Sequence, residues 1–263
     1  MIQFEESSPL EELKSKNIVL LVGMPGIGSV GKIVIESLKE QLEAELVLSI
    51  YFDDFPSQVI VDEDGKLMIP RIKVFNAGIS NDLNFLLLTG DFQPTSNLGI
   101  YNFVDKLMKF LKDEKKLNVQ MVLSTGAYVP EHIPMHPKIF ISGTENAVIE
   151  EFIKLDPDKI RIMSGGIITG ANGIIPAWCE IIKIPGICLL GETIPMIKKD
   201  IRASKALLEV LKMRFNFDFD FTEIDKQAKE MDNTLEELKK RAGIVPSDEK
   251  EDFFKRGDQS YIG

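Results

Sequence analysis

The ten residues Gly23-Met24-Pro25-Gly26-Ile27-Gly28-Ser29-Val30-Gly31-Lys32 constrain this chain more than any other stretch. They follow an unbroken apolar run, Ile18-Val19-Leu20-Leu21-Val22. They lead into a segment, Ser29 to about Glu43, whose apolar residues Val30, Ile33, Val34, Leu38 and Leu42 recur at helical spacing. Strand, glycine turn and helix in that order aim backbone N–H groups and the positive end of a helix dipole at one point, where an anion can bind. Two phosphate-binding patterns fit in part. Gly26-x-Gly28-x-x-Gly31 matches the dinucleotide fingerprint, and Asp53 and Asp54 end the next strand-like run, Glu45 to Phe52, near the place of a ribose-binding acid. Pro25, however, removes a backbone donor from the turn. Gly26-x-x-x-x-Gly31-Lys32 matches a P-loop until the next position, where Ile33 stands in place of the hydroxyl that holds Mg²⁺. The plainer reading is a tight turn whose glycines let the helix lie close on the sheet. A nucleotide- or nucleoside-binding enzyme using the Gly26–Lys32 turn is the alternative.

Along the rest of the chain, strand-like and helix-like stretches alternate. Strands are expected at Leu46–Phe52, Asn84–Thr89, Val119–Leu123, Lys138–Ser142, Ile160–Met163 and Ile187–Leu190. Helices are expected from Pro94-Thr95-Ser96 through Leu111, from a Thr144 cap to about Leu155, and from Ile197 to Met213. Val59–Val61 and Lys66–Ile69 flank Asp62-Glu63-Asp64-Gly65, whose Asp-Gly step signals a hairpin. Residues 1–15 read as polar and peripheral. The pattern predicts an α/β fold: a mostly parallel sheet with helices on both faces and an antiparallel hairpin inserted.

Composition shifts after Phe215. Asn216–Phe221 alternates Phe with Asn or Asp, and a charged helix follows to about Ala242. Its apolar positions Ile224, Ala228, Met231, Leu235 and Leu238 have heptad spacing, a narrow stripe suited to one neighbouring helix. Gly243 and Pro246 end it. The expected division is an α/β core over 1–215, an amphipathic helix over 216–243 and a flexible acidic tail over 244–263.

The 263 residues carry a net charge of −10, which argues against nucleic acid as a partner because phosphate neutralisation needs clustered Lys and Arg. No apolar run approaches the roughly 18–20 residues that span a bilayer, and Met1-Ile2-Gln3-Phe4-Glu5-Glu6 lacks the layout of a signal peptide. Two cysteines, Cys179 and Cys188, sit in apolar surroundings and read as small buried hydrophobes in a reducing, cytoplasmic setting. Richness in Ile, Lys and Glu suits a thermophile. The histidines, His132 and His136, have the spacing of a helical zinc pair, yet Pro130, Pro134 and Pro137 preclude the helix. No serine sits in a Gly-x-Ser-x-Gly elbow. Polar residues do gather after strands, at Thr89-Gly90-Asp91-Phe92-Gln93, Ser124-Thr125-Gly126 and Gly170-Ala171-Asn172-Gly173, where open α/β sheets bind ligands. Lys32 is the only cation in these turns. No catalytic, cofactor or metal residue is assigned.

Taken together, Gly23–Gly31, Thr89-Gly90-Asp91-Phe92-Gln93-Pro94, Ser124-Thr125-Gly126-Ala127-Tyr128 and Gly170-Ala171-Asn172-Gly173-Ile174 resemble the proteasome-assembly-chaperone family, its archaeal homologues in particular. The resemblance covers roughly residues 15–215. It implies a phosphorylase-like α/β fold without an established catalytic set, self-assembly into a homo-oligomer, and binding to α subunits of the proteasome core particle, with a homologous chain as a further candidate partner. Several family members dock through a C-terminal hydrophobic–Tyr–any motif. Here the chain ends Ser260-Tyr261-Ile262-Gly263: the tyrosine is third from the end, and Ser260 precedes it. Tyr261, Ile262 and Gly263 are the candidate partner-binding residues. Ile224, Met231, Leu235 and Leu238 are the candidate oligomer or partner stripe. Several tails in one oligomer would act multivalently.

Overall fold

The computed structural model describes residues 1–131, 134, 136–195, 197–242 and 261–262. Strand β1 (Ile2–Glu6) is followed by β2 (Asn17–Val22), helix α1 (Val30–Gln41), β3 (Glu45–Phe52), and a hairpin of β4 (Ile60–Val61) and β5 (Leu67–Met68). Next come β6 (Ile72–Gly78), β7 (Leu83–Gly90), helix α2 (Asn97–Lys109), β8 (Asn118–Tyr128) and β9 (Ile139–Gly143). Helix α3 (Asn146–Ile153), β10 (Ile160–Ile162), β11 (Ile167–Ile168), helix α4 (Ala171–Ile182) and β12 (Gly186–Glu192) follow. Helices α5 (Ile201–Phe215) and α6 (Thr222–Ala242) and the short β13 (Tyr261–Ile262) complete the order.

Nine strands form one sheet in the order β1-β3-β6-β7-β2-β8-β12-β9-β10. Strands β2, β7, β8 and β12 run parallel through its centre. The flanks are different. β6 is antiparallel to both β3 and β7, β1 is antiparallel to β3, and β9 is antiparallel to β12. The expected mostly parallel sheet is therefore a mixed one with a parallel centre. Two strands missing from the sequence reading, β1 and β6, account for much of the change. Residues 1–15 are not peripheral: β1 pairs with β3, and Leu10 and Leu13 are buried beneath it.

The central strands are apolar on both sides, as a doubly covered sheet requires. Along β2, Val19 and Leu21 face one layer while Ile18, Leu20 and Val22 face the other. Helices α1, α3 and α5 cover the first face, and α2 and α4 the second. The Phe-rich segment after α5 is not a linker, because Phe217 and Phe219 are buried against the α1–α5 layer, and α6 then lies on α5. Caps explain the helix starts. The Ser96 hydroxyl accepts from Gly99 N–H, and the Asp200 carboxylate accepts from the amides of Arg202 and Ala203. Thr144, expected to cap α3, instead accepts from Gly186 N–H, and Glu145 occupies the cap position without a side-chain bond.

No helix among the described residues is long and apolar enough to cross a membrane. Both thiols are buried and unpaired. Burial pushes Cys179 up to about 12, and burial pushes Cys188 to about 11 despite a hydrogen bond with Ser124. Folded protein should therefore show no thiol reactive towards Ellman's reagent at pH 8 and both in denaturant. Unfolding frees each thiol to ionise at its ordinary value, so stability should fall as pH rises above about 9. A Cys179→Ala/Cys188→Ala variant should lose the thiol part of that fall, measured by urea midpoints between pH 8 and 10.5.

Candidate functional site

The glycine turn sits at the carboxyl ends of the parallel strands, where α/β sheets bind ligands. Here the chain fills that place with its own groups. The Asn172 side chain behaves as a second peptide unit: Met24 N–H donates to its Oδ1 at 2.9 Å, and its Nδ2 donates to Met24 C=O at 3.2 Å. Thr89 Oγ1 donates to Gly23 C=O at 2.7 Å, Thr125 Oγ1 to Val22 C=O at 3.2 Å, and Gln93 Nε2 to Pro25 C=O. Gln93 Oε1 accepts from Ala171 N–H at 2.7 Å. Four turns, far apart in sequence, thus meet in one hydrogen-bonded knot.

Glycine is required where backbones touch. A Cβ on Gly23 would strike the carbonyl of Gly31, and one on Gly31 would strike the carbonyl of Thr125. Gly28 is left-handed (φ 60°, ψ 10°), a conformation that costs glycine little. Two of the turn's donors are spent locally, since Ser29 N–H bonds Gly26 C=O and Val30 N–H bonds Ile27 C=O. Lys32 Nζ donates to Gly90 C=O at 3.2 Å. The buried Asp200 lies against Gly28, its N–H donating to Gly28 C=O at 2.8 Å. The turn is a packing device in this geometry.

Pro176 inside α4 completes the logic. Proline cannot donate to the carbonyl four residues back, which is that of Asn172. Ser124 Oγ donates to that carbonyl instead, at 2.5 Å. The missing helix bond and the knot are therefore one feature, and the sequence signal for it was the pair Asn172 and Pro176.

Arg202 joins this region to α6. Its Nη1 donates to Pro134 C=O at 3.0 Å and to Asp232 Oδ1 at 3.2 Å, while Nε lies 3.8 Å from Asp200 Oδ1. Nε and Nη2 are buried without a hydrogen-bond partner. A cleft of about 400 Å³ opens beside it, lined by Lys138, Lys159 and Lys205 but also by Asp156, Glu209 and Asp232. Glu209 pairs with both Lys159 and Lys205, so two of these lysines are already paired. No group of three or more His, Cys, Asp or Glu among the described residues is placed to hold a metal. His132 lies outside the described residues.

Of the α6 stripe, Ile224 and Ala228 are buried against the chain's own core, and Met231 and Leu235 are half-buried. Leu238 is in the helix, but its side chain lies outside the described residues, as does Gly263. Tyr261 and Ile262 form β13, whose backbone pairs in parallel with Ile167 and Ile168 of β11. Among the described residues, the structure does not bring the tail and the stripe together into one site.

A mixed sheet covered on both faces, with its strand ends tied by internal hydrogen bonds, defines an α/β protein. The PAC2 family model matches residues 20–239, and the chain belongs to the PAC2 family. It is 28% identical over 236 residues to the uncharacterised protein MJ1210 of Methanocaldococcus jannaschii, spanning 90% of this chain and 86% of that one. Among solved structures it is similar to Pyrococcus furiosus PbaB, described as an archaeal proteasome activator, with a TM-score of 0.80 and 24% identity over 90% of this chain and 98% of PbaB. It is also similar to P. furiosus PbaA, described as an archaeal homolog of proteasome-assembly chaperone, with a TM-score of 0.69 and 20% identity over 92% and 98% of the two chains. These structural likenesses concern the fold.

Asn172→Ala should cost about 1–3 kcal/mol, since it strands the buried amide and carbonyl of Met24. Asn172→Asp should do no better, because a carboxylate cannot donate to Met24 C=O. Urea unfolding at pH 7 checks both, and wild-type stability in the alanine variant would contradict the bridge.

Proposed function

We propose that this chain is a non-enzymatic proteasome assembly chaperone or adaptor that binds α subunits of the core particle as a homo-oligomer. The observation that carries this reading is PAC2 family membership over residues 20–239. The printed descriptions of PbaB and PbaA, whose folds it shares, support it. The non-enzymatic part is supported by the closed knot, in which Met24, Ser29 and Val30 have spent their N–H groups on the chain itself. No cofactor, nucleic acid or membrane enters the proposal; the setting is the cytoplasm, and a homologous chain is a further candidate partner. The α/β core over 1–215 is the platform, with the helix over 216–243 and the tail over 244–263 as appendages.

Tyr261, Ile262 and Gly263 are proposed to contact the α subunits. Their engagement requires leaving β11, where the backbone of Tyr261 and Ile262 pairs within the chain. On α6, Ile224 is committed to the core, so contact with a neighbour falls to Met231, Leu235 and Leu238.

Capture of purified proteasome α subunits by immobilised full-length chain, compared with a chain truncated after Gly243, tests the proposal. Full-length chain should capture them and the truncated chain should capture at least about tenfold less, a difference of roughly 1.4 kcal/mol. Capture by neither overturns the partner. Equal capture by both overturns the tail's role.

A further inference from the structure

The hairpin of β4 and β5 has its polarity inverted. Ile60 pairs with Met68 and Val61 with Leu67, so Val59, Val61, Leu67 and Ile69 share one face of the ribbon. That face is the outward one: the four side chains are 58%, 59%, 68% and 68% exposed, while Ile60 and Met68 on the inner face are half-buried. An ordinary solvent-facing hairpin puts polar residues outside. Four aliphatic side chains side by side form a patch of the kind that marks a protein interface. At its tip stands an acidic turn, Asp62-Glu63-Asp64-Gly65, made rigid by Asp62 Oδ1, which accepts from the amides of Asp64 and Lys66 at 3.1 and 2.8 Å.

The same chain carries a second apolar surface. Leu98 and Tyr101 on α2 are 70% and 46% exposed, and Ile181 on α4 is 63% exposed. The Tyr101 ring lies 6.0 Å from that of Trp178, which joins the two helices into one ridge. Further along α2, Lys106 and Lys109 are exposed. One surface is apolar with an end carrying Asp62, Glu63, Asp64 and Lys66. The other is apolar with an end carrying Lys106, Lys109 and Asp105, which pairs with Lys109 at 2.8 Å, so the net signs of the two ends are opposite.

We infer that the exposed face of the β4–β5 hairpin docks on the α2–α4 ridge of a second copy of this chain, with Asp62, Glu63 and Asp64 of one copy set against Lys106 and Lys109 of the other. The occupant follows from the charges. A chain of net −10 repels its own kind at long range, so self-association needs a place where opposite signs face each other. The hairpin tip and the end of α2 supply it. The pairing joins two different surfaces, so it closes either reciprocally in a dimer or in sequence round a ring. The inference rests on the homo-oligomer part of the proposed function and assigns its interface. It is tested without any proteasome component, so its failure is separable from failure of the partner assignment.

Native mass spectrometry and light scattering of the full chain give the oligomer mass. Wild type should be oligomeric at micromolar concentration. Val61→Asp/Leu67→Asp should dissociate it, with at least about tenfold weaker association, while an unchanged far-ultraviolet circular dichroism spectrum shows that the fold persists. The charge reversals Glu63→Lys/Asp64→Lys, which leave the Asp62 turn bonds in place, and Lys106→Glu/Lys109→Glu should each weaken assembly alone, and a mixture of the two variants should recover it. A monomeric wild type overturns the inference, as does an undiminished oligomer in the hairpin variant. Failure of the mixed variants to recover shows that the hairpin meets another surface, and this overturns the pairing as well. If the hairpin variant stays oligomeric but loses capture of α subunits, the patch belongs to that partner and the inference falls.

Discussion

The two hydrogen bonds between the Asn172 side chain and the backbone of Met24 hold together parts of the chain that no local rule would join. They tie the start of α4 to the end of β2, and through Ser124 to β8, at the point where crossovers on opposite faces of the sheet begin. Because Met24 is fully buried, its amide and carbonyl have no water to fall back on. An unmade bond there costs more than a made one contributes. The same strand ends carry the close contacts of Gly23 with Gly31 and of Gly31 with Thr125. Pro176, which would weaken an isolated helix, is accommodated because Ser124 takes over the carbonyl that proline leaves unpaired.

Much of this architecture was legible in the sequence. The runs of β2, β7 and β12 are apolar enough to declare buried strands, α1 and α2 show helical spacing, and the Asp-Gly step located the hairpin turn. The elements that escaped each lack a periodic signal for a physical reason. In β1, a strand at the sheet edge, only Ile2 and Phe4 pack inward, and Glu5 and Glu6 give it the look of a polar terminus. In β6, Lys73 and Asn76 interrupt the apolar pattern. In α4, Gly173 and Pro176 argue against a helix that tertiary contacts nonetheless hold. The candidate site divides the same way. The glycines announced tight turns, but the groups that fill those turns, Asn172 and Gln93, come from distant segments, and no spacing rule connects them to Met24 or Pro25.

Arg202 extends the influence of the strand ends outward. Asp200 touches Gly28 on one side, caps α5 and stands near the guanidinium of Arg202, which in turn holds Asp232 on α6. Three charged side chains thus lie in a row between the glycine turn and the C-terminal helix. The arrangement is costly in isolation, because two guanidinium nitrogens are buried without partners. It gives α6 a fixed place beside α5, reinforced by the ion pair of Lys205 with Asp225 at 2.7 Å and by burial of Ile224 and Ala228. The first half of the heptad stripe thus serves the fold of its own chain.

The two ends of the main sheet bear on how copies of the chain can meet. The β1 end presents a strand carrying Glu5 and Glu6, and the β10 end presents only three residues, Ile160–Ile162. Neither is a good template for adding a strand from another molecule, since charge guards one and brevity the other. Growth of the sheet from molecule to molecule, which leads to fibres, is thereby discouraged at both edges. In the proposed homo-oligomer, contacts between copies would be left to side chains, which can form and break without unzipping any backbone ladder. Assemblies built that way can exchange subunits while every protomer stays folded.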